Sequence, residues 1–155
     1  MIHSMEAKRS LYIIGEGQTD AQILHTILDC ARFEDVYHIP SNGYNNMASM
    51  VRTVRLMKNP SESNDRILVV FDADSQKEEV RVDKIATMQY LINAEYDKRI
   101  GVFCFVPTID HYLFGTDFRL VKGDGGEFVK YLQENLGRLR ELPEIRRIQE
   151  FLDKK

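Results

Sequence analysis

Residues Ile67-Leu68-Val69-Val70-Phe71 run without a polar interruption straight into Asp72-Ala73-Asp74-Ser75. A strand with one face in water alternates apolar and polar side chains. A run without alternation is buried on both faces, as in the centre of a parallel sheet covered by helices. Three more short apolar runs belong with it. Leu11-Tyr12-Ile13-Ile14 is ended by Gly15, Val36 to Ile39 by Pro40-Ser41-Asn42-Gly43, and Ile100 to Val106 by Pro107.

Helical periods separate these runs. Thr19 offers an N-cap with Gln22 three residues on, and Ile23, Leu24, Ile27, Leu28 and Ala31 form one apolar face. Asn45 or Asn46 can cap a second helix with Met47, Met50, Val51, Val54 and Met57 inward, stopped by Asn59-Pro60. A third helix, Lys77 to Ala94, turns Val80, Ile85, Met88, Leu91 and Ile92 to the core. The order β-α-β-α-β-α-β predicts an α/β fold: a doubly wound, mostly parallel four-stranded sheet flanked by helices. After Pro107 the pattern becomes helical. A short helix closes at Gly115, a loop holds Lys122 to Gly126, and Phe128, Tyr131, Leu132 and Leu136 mark another helix. Pro143 starts a last one with Ile145, Ile148 and Leu152 inward. The expectation is one domain over 1–155, with its core at about 11–107 and a helical extension at about 108–155.

Composition fits that reading. At 155 residues, 43% hydrophobic and 29% charged, a chain buries about 70% of its surface on folding. No apolar run approaches the roughly 18 residues that span a bilayer. Met1 to Ser10 has no apolar stretch resembling a secretory signal, so a cytoplasmic location is expected. Lys and Arg total 21 against 24 Asp and Glu. A protein coating nucleic acid non-specifically would be basic, but a metal site needs clustered carboxylates and accommodates an acidic total. Cys30 and Cys104 lie far apart in apolar surroundings and read as packing thiols.

Open α/β sheets bind ligands at the carboxyl ends of their strands, and two of these ends are acidic. Strand one ends Gly15-Glu16-Gly17 and strand three ends Asp72-Ala73-Asp74. If the two strands are neighbours, about 4.8 Å apart, Glu16, Asp72 and Asp74 converge and repel unless a cation lies among them. Hard oxygen donors suit Mg²⁺ or Mn²⁺, ions that commonly serve phosphoryl chemistry.

Leu11 to Asp20, an apolar strand followed by Glu-Gly and a nearby acidic residue, resembles the first motif of Toprim domains, and Asp72-Ala73-Asp74 resembles their Asp-x-Asp. Asn42-Gly43 falls where such domains often have a glycine turn. The resemblance covers about Leu11 to Pro107 and is strongest to small stand-alone Toprim and overcoming-lysogenization-defect (OLD) family nucleases. It implies a Mg²⁺-dependent nuclease acting on DNA or RNA, in phage defence or RNA processing, alone or with an ATPase, another protein partner or a second copy. Glu16 would be a metal ligand or general acid/base, and Asp72 and Asp74 would hold the ion. Asp20 would orient the first helix or support the site. Asp110, after strand four, would be a second-metal ligand or a helix N-cap, and Lys122 would neutralise a phosphate. Gln76 stands where topoisomerases and primases often carry a third aspartate.

Other readings compete. A non-catalytic Toprim-like subunit, binding nucleic acid or a partner, accommodates Gln76 and the acidic pI. A haloacid-dehalogenase-like phosphatase would carry its Asp-x-Asp on the first strand, and a receiver domain would have an acidic pair after strand one. His111 reads as a partly buried polar residue. Arg52, Arg55 and Lys58, and the later Arg138, Arg140, Arg146 and Arg147, read as solvated faces, with phosphate tracking as the alternative.

Overall fold

The structure, a computed structural model, describes residues 9–57, 64–115 and 127–154. Lys58, Asn59-Pro60 and Lys122 lie outside the described residues. Strands β1 (Ser10–Gly15), β2 (Asp35–Pro40), β3 (Arg66–Asp72) and β4 (Ile100–Phe105) form one sheet in the order β2-β1-β3-β4. All three pairings are parallel. Seven α-helices accompany them among the described residues: α1 (Gln18–Ile27), α2 (Met47–Met57), α3 (Glu78–Ile92), α4 (Ile109–Phe114), α5 (Glu127–Glu134), α6 (Leu136–Arg140) and α7 (Pro143–Asp153). None is long and apolar enough to cross a membrane.

The two central strands send successive side chains to opposite faces. Leu11 and Ile13 of β1 and Leu68 and Val70 of β3 pack with α1 and α4–α7. Tyr12, Ile14, Ile67, Val69 and Phe71 pack with α2 and α3. Both faces are therefore dry, which is why neither strand alternates in sequence. In the last helix Pro143 occupies the first turn, and Ile145, Ile148 and Leu152 are all buried as their spacing predicts.

Several local expectations are corrected. Helix α1 is capped at Gly17 and not at Thr19, and it ends at Ile27, short of Ala31. The Asp29 carboxylate accepts the Ala31 N–H at 3.1 Å, which turns the chain out of the helix. The chain enters α2 through a 3-10 turn, Tyr44–Asn46, capped by Gly43 at φ 123, so helical structure begins before Asn45 and Asn46. Position 43 has a backbone conformation that only glycine takes readily. On α3 the core stripe is narrow. Met88 and Ile92, one turn apart, are buried, while Leu91 points about 100° away and is 42% exposed.

Candidate functional site

The adjacency of β1 and β3, with Ile14 opposite Val69, brings two acidic strand ends to one edge. The turn after β1 is stitched to the turn after β2. Ser41 N–H donates to the Gly15 carbonyl at 2.8 Å, and Gly43 N–H to the Glu16 carbonyl at 3.2 Å. Asp20, at the third position of α1, reaches back to accept the Gly17 N–H at 3.2 Å. This one-sided cap, from the Gly17 N–H to the Asp20 carboxylate, fixes the helix end beside Glu16. It requires a close approach: a Cβ at Gly15 would lie 2.9 Å from the Asp20 Cβ.

The end of β3 is held from the other side. Ala73 N–H donates to the Phe105 carbonyl at 2.9 Å, and Asp74 N–H to the Pro107 carbonyl at 2.8 Å. Asp74 has φ 55, in the left-handed region where aspartate is among the few tolerated residues. Its side chain is 65% exposed. Asp72, the last residue of β3, turns inward, and its Oδ1 accepts the Ile109 N–H at 2.7 Å.

Glu16, Asp72 and Asp74 are close enough to act on one another electrostatically. Burial, with the Glu16, Asp20 and Asp74 charges, pushes the Asp72 carboxyl up to about 7, against the lowering effect of the Ile109 N–H. Burial also raises Glu16, assisted by Asp74 and Asp20, while Lys84 and the Asp72 backbone N–H favour its charge. The three sequence-derived candidates thus lie within electrostatic range of one another, and Asp20 joins them as both helix cap and fourth charge.

Lys84, in the middle of α3, is the residue that sequence reasoning missed. Its Nζ donates to the Asp72 carbonyl at 2.9 Å and lies 3.8 Å from Asp74 Oδ2. The ammonium also stands 5.0 Å from the Tyr44 ring centroid, a cation–π distance. Tyr44 in turn donates its hydroxyl to the Lys84 carbonyl at 3.1 Å. The one available signal was spacing: twelve residues after Asp72, helix α3 has come back along the sheet edge. A lysine on a charged helix is otherwise indistinguishable from a solvated one.

Asp110 stands in the first turn of α4, next to the Ile109 whose N–H binds Asp72. It is not the N-cap. Thr108 takes that role, its Oγ1 accepting the His111 N–H at 3.1 Å. The arginines have intramolecular work. Arg55 donates to the Ile92 and Asn93 carbonyls at the end of α3 and pairs with Asp97, and Arg52 donates to the Leu91 carbonyl. Arg140 binds the Ile27 carbonyl, Arg147 binds Glu144, Arg138 binds the Tyr131 hydroxyl, and Arg146 lies 3.9 Å from Glu141. Cys30 and Cys104 are free thiols, both raised by burial, to about 11 and about 12.

Among the described residues, no group of three or more His, Cys, Asp or Glu side chains is arranged so that it could hold a metal ion. Mg²⁺ does not require one, because it keeps several waters and is commonly held through one or two carboxylates. The side chains at these strand ends carry hard carboxylate oxygens, and Asp72 is disfavoured as an anion until a cation offsets its neighbours. The chain matches no protein-family model, no curated protein and no solved structure at a significant level of similarity.

Proposed function

We propose that the chain is a Mg²⁺- or Mn²⁺-dependent nuclease, hydrolysing phosphodiester bonds of DNA or RNA at a Toprim-like site. The observation that carries this reading is the state of Asp72. It is a half-buried carboxyl at the end of a central strand, raised to about 7 by partial burial and by the charges of Glu16, Asp20 and Asp74. Such an arrangement is costly for stability, and perturbed carboxylates of this kind cluster at functional sites.

In this reading Glu16, Asp72 and Asp74 hold the metal, and Asp110 serves a second ion. A bound divalent ion polarises the scissile phosphate and stabilises the attacking and leaving oxygens. The protein's own groups do the rest. The Ile109 N–H fixes the rotamer of Asp72. Asp20 holds the turn that carries Glu16. Glu16, whose carboxyl is raised, would accept a proton from the attacking water. Lys84 offers an ammonium to the extra negative charge that develops on the phosphate.

Incubation of the full chain with plasmid DNA and with RNA, in Mg²⁺, in Mn²⁺ and then in EDTA, tests the reading. Metal-dependent cleavage of either supports it. Binding without cleavage, across both substrates and both metals, would replace it with a non-catalytic nucleic-acid-binding module.

A further inference from the structure

A second charged feature lies at the opposite end of the sheet. Arg66 is the first residue of β3 and Asp72 the last, so at about 3.3 Å per residue the two ends are about 20 Å apart. Around the amino ends of β3 and β4 is a cavity of about 630 Å³. Arg66, Lys98, Arg99 and Lys154 line it, with Ile100 and Phe151 as an apolar wall, and no acidic side chain is among its described lining residues. Arg9 adjoins it, its Nε donating to the Asn64 carbonyl at 3.3 Å.

Two of these cations are buried, Arg66 at 8% and Arg99 at 6% exposure. Arg66 donates to three backbone carbonyls, those of Asn64, Asp65 and Lys154, at 2.8–3.3 Å. Arg99 forms a two-pronged pair with Asp97 at 2.9 and 3.0 Å. The two guanidiniums are therefore held in place before any ligand arrives, while Lys98 and Lys154 are exposed at the rim. Burial first, then the neighbouring Arg9 and Arg99 charges, disfavour the protonated form of Arg66, against the favourable charges of Asp65 and Asp97.

We propose that this cavity binds a nucleotide carrying a di- or triphosphate. Fixed guanidiniums and mobile ammoniums match the oxygens of a polyphosphate. Ile100 and Phe151 offer an apolar surface for a base. The volume is that of a small-molecule pocket, about 300–1,000 Å³, and a concave pocket suits a compact ligand better than a continuous nucleic-acid backbone.

Calorimetric titration of the full chain in EDTA, without divalent ions, removes any contribution from the carboxylate site. ATP and inorganic triphosphate should both bind, ATP the tighter. Lys98→Glu combined with Lys154→Glu should weaken both by at least about tenfold, and Asp72→Asn should leave both unchanged. Should the double variant fail to fold, Lys98→Gln alone, with an expected loss of about threefold, takes its place. Unchanged affinity in the folded variant, no binding of either anion at millimolar concentration, or tighter binding of a short oligonucleotide than of ATP would each overturn the assignment. This outcome is independent of whether the carboxylate site cleaves nucleic acid.

Discussion

The backbone N–H of Ile109 donates to Asp72 Oδ1 at 2.7 Å, joining the end of β3 to the first residue of α4. This bond stabilises the ionised form of a carboxyl that burial and three neighbouring acids push the other way. The balance still favours the protonated acid up to about pH 7, so in the metal-free protein Asp72 is held in place and carries an electrostatic penalty only where it is ionised.

Asp72→Asn should therefore stabilise the metal-free fold while abolishing activity. Asparagine keeps the acceptor for Ile109 and removes the charge. The folded-state value, about 7, lies above the unfolded value of 3.8. The wild type is thus penalised fully above pH 7, and the penalty fades as pH falls toward 4. The gain should be on the order of 2–4 kcal/mol at pH 8 and should vanish near pH 4. Chemical denaturation of both proteins across that range checks the sign. A gain that grows toward low pH would contradict the assignment.

Metal binding must displace the Asp72 proton below pH 7. The apparent Mg²⁺ affinity should fall by up to about tenfold for each pH unit below that point. At a hundred-fold excess over Kd, the ion should stabilise the wild type by about 2.7 kcal/mol. Glu16→Gln combined with Asp74→Asn should erase that stabilisation. An equal melting-temperature rise in the double variant would place the ion elsewhere.

Lys84→Gln separates two roles for the ammonium. A partly exposed pair with Asp74 contributes only about 0–1 kcal/mol to stability, so the fold should be little affected. Removal of a positive charge from the crevice should leave Mg²⁺ binding as tight or tighter. Turnover should nevertheless drop by about 10²-fold if the ammonium meets the developing phosphate charge. Unchanged kcat would assign Lys84 to packing against Tyr44.

Asp110 and Thr108 are distinguished by substitution of each. Thr108→Ala removes the observed cap and should cost about 1 kcal/mol of stability with activity retained. Asp110→Asn leaves that cap intact and should cut turnover strongly across a Mn²⁺ titration. Wild-type rates at every Mn²⁺ concentration would remove Asp110 from the site and leave a one-metal mechanism.

The parts of this arrangement that were legible in sequence are those written in contiguous residues. Ile67 to Phe71 carry the two-faced burial of β3 in their composition, and the acids that follow are placed by the strand itself. Lys84 was not legible, because its position depends on how α3 crosses the sheet, and on a helix with a narrow apolar stripe nothing marks one lysine from another. The capping errors share a cause. Thr19 and Asp110 are good caps by residue type, but Gly17 with Asp20, and Thr108 with His111, win because the chain direction at the strand ends places those N–H groups first. The amino-end cavity joins residues from β3, β4 and the carboxyl end of α7, and no local pattern brings these together.

The central claim is that Asp72 lies in a metal-dependent phosphodiesterase site. It is tested most directly by cleavage of DNA and RNA by the wild type and by Asp72→Asn, side by side, with Mg²⁺ or Mn²⁺ as the only variable. The predicted result is cleavage by the wild type that requires the ion, and none by the folded variant. Cleavage by Asp72→Asn at the wild-type rate would contradict it.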